Sequence, residues 1–128
     1  MTTPVVPSQV TFSKPLLGLG AFTAFECVPL DESGVLYRLS ADGGPQLIAV
    51  SAQAYFPSYA PEFSDHALQA IELTEPRDAL TLALVTVGSS LEEHTVNLLA
   101  PIVVNPSTGS AFQVVLDDDV YPMRASLV

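Results

Sequence analysis

The stretch from Phe22 to Leu39, FTAFECVPLDESGVLYRL, decides the class of fold. Phe22, Ala24, Glu26 and Val28 share one face of its first half, and in its second half Val35, Tyr37 and Leu39 stand opposite Leu36 and Arg38. A side-chain period of two belongs to a strand. Asp31, Glu32, Ser33 and Gly34 between the halves have the composition of a hairpin turn. Working outward, Asp42-Gly43-Gly44-Pro45 is the next turn, and Gln46 to Ala52 is a short apolar strand. From Leu80 to Val87 the apolar face changes: Leu80, Leu82 and Leu84 lie on one side, Val85 and Val87 on the other. This pattern requires either a bulge or a strand buried on both faces.

Thr95 to Val104 and Phe112 to Leu116 are two further strands joined by the loop Asn105-Pro106-Ser107-Thr108-Gly109, with Pro101 interrupting the first because proline donates no ladder hydrogen bond. One segment is helical: Ser64 caps a helix from Asp65 to about Glu72, with Leu68 and Ile71 on its buried side, ending before Pro76. Eleven prolines and seven glycines cut the chain into segments mostly too short for ordinary helices. The expected fold is all-β: a small antiparallel β-barrel-like domain with one short helix, residues 1–128 forming a single domain.

Composition narrows the function. The chain has 128 residues, 48% of them hydrophobic, and only 14% charged, yet 14 acids against 4 bases leave a net charge of −10. Lys14, Arg38, Arg77 and Arg124 are scattered and cannot neutralise a run of phosphates, so no direct nucleic-acid binding is expected. An anionic membrane surface is disfavoured for the same reason, and the longest apolar run, Leu98 to Val104, falls far short of the ~20 residues that span a bilayer. The N-terminus lacks a basic, apolar leader and Cys27 is a lone cysteine, which points to a cytoplasmic monomer. The field of such a chain attracts a cationic macromolecule.

Candidate chemistry is sparse. Cys27, His66 and His94 lie in separate segments without a supporting nucleophile–base motif, and they are too few and too irregularly spaced for a zinc centre. Gly18-Leu19-Gly20 begins like a dinucleotide fingerprint, but its third glycine position is Thr23. Asp117-Asp118-Asp119 lacks the glycine and glutamate of an EF-hand loop and reads as a solvated strand end. Tyr55, Phe56, Tyr59 and Phe63 around Pro57 and Pro61 either pack on the barrel or form an aromatic contact surface. No catalytic, cofactor or metal-binding residue is expected.

The segment Thr95-Val96-Asn97-Leu98-Leu99-Ala100-Pro101-Ile102-Val103-Val104-Asn105, followed by Gln113 to Asp118, Tyr121 and Arg124, resembles the flagellar assembly factor FliW family. Gly18 to Phe22 is similar to that family's Gly-Ile-Pro-Gly-Phe turn. Tyr55-Phe56-Pro57-Ser58-Tyr59 is similar to its Phe-Phe-Pro-Asp-Tyr loop, and Leu82 to Val87 to its Leu-x-Ile-Val-Thr-Val strand. The chain departs from the family pattern at Thr23, often acidic, at Ser107 to Ser110, often basic, and at Ala125-Ser126, often His-Pro. The resemblance implies a non-enzymatic regulator that binds the RNA-binding protein CsrA, relieves its repression of flagellin synthesis, and also binds flagellin. On that basis Asp117, Asp118, Asp119, Tyr121 and Arg124 are candidate partner contacts, with Phe56 and Tyr59 as a rival aromatic surface. Asn97 and Pro101 are assigned to structure, the amide satisfying backbone groups beside the proline. Two other classes stay open: a small-molecule-binding barrel, which needs an apolar cavity, and an adaptor without flagellar partners.

Overall fold

Alternating apolar residues on short, proline-bounded segments need several partners to bury one face, and here they find them by closing a sheet on itself. The computed structural model describes residues 8–14, 16, 21–32, 35–56, 59, 61, 63–75, 78–86, 89, 93–116 and 125–126. The strands are β1 (Gln9–Phe12), β2 (Ala24–Pro29), β3 (Leu36–Ser40), β4 (Gln46–Ser51), β5 (Leu80–Thr86), β6 (Thr95–Val96), β7 (Ile102–Val104), β8 (Ser110–Gln113) and β9 (Ala125–Ser126). Two short helices, α1 (Ala52–Tyr55) and α2 (Asp65–Ala70), follow β4 and precede β5. Strand order β4-β3-β2-β1-β8-β7-β5 returns to its start because β4 also pairs with β5, which makes a closed seven-stranded barrel. Closure removes the unpaired edges that an open sheet would present. β6 and β9 extend from β5 outside the ring.

The hairpin at residues 22–39 forms, with Glu26 opposite Ser40 and Pro29 opposite Tyr37. Its inward residues are Phe25, Cys27, Tyr37 and Leu39, each at most 4% exposed. They meet Val10, Phe12, Ala49, Leu82, Ile102, Val104 and Ala111 in the barrel interior, where Phe12 and Phe25 pack edge to face with ring centroids 5.6 Å apart. The asymmetric face pattern of Leu80–Val85 resolves as burial on both sides. Leu80, Leu82 and Leu84 point into the barrel, while Thr81 and Ala83, 1% and 0% exposed, are covered from outside. No register slip accompanies it: Leu82 to Val85 pair continuously with Ser51 to Ile48.

Several features depart from the sequence reading. The strand expected at Phe112–Leu116 lies instead at Ser110–Gln113, and the one expected over Thr95–Val104 is split into β6 and β7. The ring is not antiparallel throughout, because β1 and β8 run parallel, Thr11 opposite Ser110. β1 was not anticipated, although Val10 and Phe12 alternate with Gln9 and Thr11 over its four residues. The expected strand to Ala52 stops at Ser51, and a single helical turn, α1, follows.

The helix expected at 65–72 is α2. Ser64 accepts a hydrogen bond from the Ala67 amide at 3.2 Å, and Leu68 and Ile71 are buried. Its end is fixed by the Leu73 amide donating to the Leu68 carbonyl and the Glu72 amide to that of Gln69, with Glu72 in the left-handed region at φ 63°. The Ile71 carbonyl accepts a 2.8 Å hydrogen bond from Nδ2 of Asn105, a buried side chain at the start of the β7–β8 loop. Asn105 Oδ1 accepts from the Ser107 amide, and its carbonyl accepts from the amides of Thr108 and Gly109, so one residue shapes the loop and anchors the helix.

Asn105→Ala leaves the buried Ile71 carbonyl without a donor and is expected to cost about 2–3 kcal/mol, read as a fall in denaturant midpoint at unchanged slope. Thr81 Oγ1 is buried without a hydrogen-bond partner, so Thr81→Val, which keeps the shape, is expected to be neutral or to stabilise by about 1 kcal/mol in the same measurement.

Candidate functional site

Proline at position 101 cannot donate to a ladder, and the chain accommodates it by leaving the barrel. Thr95 and Val96 pair with Thr86 and Val85, Ile102 to Val104 pair with Leu82 to Leu80, and Asn97 to Pro101 loop outward between the two pairings. Most backbone polar groups of this excursion find partners. The Asn97 amide donates to the Leu84 carbonyl at 2.9 Å, and Asn97 Oδ1 accepts from the Leu99 and Ala100 amides at 3.0 and 3.1 Å. The Leu99 and Pro101 carbonyls accept from the Leu116 and Val114 amides at 2.7 and 2.9 Å. Gln113 Nε2 donates to the Ala100 carbonyl at 3.4 Å, and the Tyr59 hydroxyl to that of Leu98 at 2.8 Å. Asn97 Oδ1 thus serves amides of its own loop, while Tyr59, Gln113 and the two residues Val114 and Leu116 after β8 take up the carbonyls.

The excursion builds a second apolar cluster on the outside of the barrel. Val50, Ala52, Tyr59, Ala83, Val96 and Leu98 are its buried members, with Leu36, Phe56, Val85, Leu116 and Ala125 packed against them. Two of the sequence-predicted residues, Phe56 and Tyr59, are therefore brought together with Leu116 and Ala125, which bracket the segment carrying Asp117, Asp118, Asp119, Tyr121 and Arg124. Those five positions lie outside the described residues.

The aromatic segment divides. Tyr59 is only 6% exposed and braces Leu98, so it has little surface to offer a partner, and Phe56 lies half-buried on the cluster. The outward aromatic is Tyr55, 41% exposed, with its ring centroid 6.2 Å from that of Phe56. Sequence alone separates these roles poorly, because the single turn α1 that points Tyr55 away from the barrel has no side-chain cap to signal it.

The groups that could do chemistry sit in structural positions. Cys27 faces the barrel interior, where burial pushes its thiol up to about 11. His66, exposed on α2, packs edge to face with Phe112 at 5.8 Å. Among the described residues no three His, Cys, Asp or Glu side chains gather as a metal site. No helix among them is long and apolar enough to cross a membrane.

This architecture has counterparts. Residues 4–127 match the FliW protein family model. The chain belongs to the FliW family. Among relatives called flagellar assembly factor FliW, that of Campylobacter lari is 34% identical over 84% of this chain and 82% of its own. That of Desulfitobacterium hafniense is 30% identical over 98% and 85%. The FliW of Clostridioides difficile is 28% identical over 88% of both chains. A crystal structure of the flagellar assembly factor FliW superimposes with a TM-score of 0.83 at 24% identity, covering 94% of this chain and 85% of that one, so the barrel is the FliW fold.

The Cys27 environment has a measurable consequence. In the fold the thiol keeps its proton to about pH 11, whereas an unfolded thiol loses it near 9. Its contribution to stability is therefore complete below pH 9 and is lost as pH rises through 11. At pH 8, Cys27 is expected to resist a thiol-reactive dye in the folded protein and to react fully in denaturant.

Proposed function

We propose that this chain is a non-catalytic flagellar assembly factor that binds a CsrA-type RNA-binding regulator, relieves its repression of flagellin synthesis, and also binds flagellin, acting as a monomer in the cytoplasm. Membership of the FliW family over residues 4–127 carries this reading. Net charge supports it independently, since a surface of −10 with few cations attracts a basic protein and repels RNA. The small-molecule alternative gains no support from the interior, which Phe12, Phe25, Tyr37, Leu39, Leu82 and Ile102 fill.

In this reading Asp117, Asp118 and Asp119, with Tyr121 and Arg124, make the partner contact. The segment begins at Leu116 and returns at Ala125, both packed on the outer cluster, so its two ends are held on the barrel. Exposed carboxylates act over about 8 Å at physiological ionic strength, enough to steer an approaching cation but too screened to dominate a finished complex.

Replacing all three aspartates by Asn is expected to slow association with the CsrA-type regulator several-fold and to flatten its dependence on salt, with a smaller change in dissociation, measured by stopped-flow mixing at low and high ionic strength. Wild-type rates at both would remove the acidic segment from the contact. Absence of binding to both the regulator and flagellin at tens of micromolar would remove the function.

A further inference from the structure

A second acidic feature lies elsewhere on the barrel. Register places Gln9, Glu26 and Ser40 in one row across β1, β2 and β3, on the face opposite Phe25 and Leu39. Beside them the β3–β4 connection turns sharply. The Gly44 amide donates to the Ala41 carbonyl, Ala41 donates to Pro45, and Gly43 takes a φ of 70°. Between row and turn is a cleft of about 340 Å³ lined by Gln9, Ala24, Glu26, Ser40, Ala41 and Asp42. That is the volume of roughly eleven waters, enough for one long side chain. The same turn seats an aromatic ring: a Cβ on Gly44 would lie 2.7 Å from the Phe22 ring, which packs flush on the glycine while Phe22 remains 37% exposed.

We propose that this cleft docks an arginine side chain presented by a basic protein partner. The inference deepens the proposed function, on which it rests for the sign of the partner's charge. The lining fits a guanidinium better than other guests. Two carboxylates, an amide oxygen and a hydroxyl offer acceptors from several directions, which the five donors of a planar fork can meet together and a single ammonium cannot. The methyl groups of Ala24 and Ala41 give an aliphatic stem apolar surface. A metal ion fits less well, since among the described residues Glu26 and Asp42 are the only charged side chains in the lining. Arg38 lies on the same face as Ser40 in the neighbouring row, between Val28 and Ile48, and confines a cationic guest to the Glu26–Asp42 end.

The test uses the full chain, isotopically labelled, titrated with the capped peptide acetyl-Gly-Arg-Gly-amide and with its citrulline and lysine counterparts while amide shifts are followed by NMR. The arginine peptide is expected to give saturable shifts confined to residues around Glu26, Ser40, Ala41 and Asp42. The lysine peptide should bind several-fold more weakly, and the citrulline peptide should give none. E26Q/D42N, which alters exposed side chains and should retain the wild-type melting temperature, is expected to weaken arginine binding at least five-fold. Equal shifts from arginine and citrulline, unsaturable shifts spread over the acidic surface, or unchanged binding by E26Q/D42N would overturn the proposal. Affinity for the CsrA-type regulator separates the two readings. If wild type and E26Q/D42N bind it equally, the cleft is not a docking site and the proposed function stands. If wild type binds neither the regulator nor flagellin, the proposed function falls; saturation by the arginine peptide then upholds the cleft, and its absence overturns it.

Discussion

The pairing of β4 with β5 holds the rest of the molecule in place. Ile48 to Ser51 lie against Val85 to Leu82, and this contact turns a row of seven strands into a ring. Because β5 then has β4 on one side and both β7 and β6 on the other, it is covered from within by the interior cluster and from without by the second one. Leu82 and Ala83, adjacent in sequence and both 0% exposed, belong to different cores. A polar substitution at either would bury an unpaired group, so new polar side chains are tolerated on neither face of the strand.

The interruption at Asn97–Pro101 follows from that double coverage. A continuous strand from Thr95 to Val104 would lie flat along β5, whereas the proline and the Asn97 side chain lift five residues away and give Tyr59, Leu116 and Ala125 something to pack on. The residues of this segment are constrained twice, by the missing donor of Pro101 and by the acceptors that Leu98, Leu99, Ala100 and Pro101 must satisfy.

Much of the barrel was legible in the sequence because each strand's period of two survives folding. The 22–39 hairpin, the turn at 42–45 and the β7–β8 hairpin all follow from alternation and turn residues, and α2 from its Ser64 cap. Four-residue β1 was not legible, since its alternation is too short to stand out, nor was its parallel pairing to β8, which depends on partners about a hundred residues apart. Asn105 looked like an ordinary loop residue; its bond to Ile71 depends on where α2 ends. Within the candidate site, the aromatic segment was visible but its division was not. Tyr59 is buried by a carbonyl that only the Pro101 excursion exposes, while Tyr55 faces out.

The parallel seam between β1 and β8 also sets a schedule for synthesis. β1 leaves the ribosome first, and it can pair with β2 at once through a short connection, but its other edge stays open until Ser110 and Ala111 have emerged. Non-local pairings of this kind form late and slowly, and they leave strand edges exposed in the meantime. A nascent chain that stops short of Ser110 therefore holds β1 to β7 as an open sheet, with β8 missing from the ring. The complete barrel, and any surface that depends on its curvature, comes into being only once β8 has emerged.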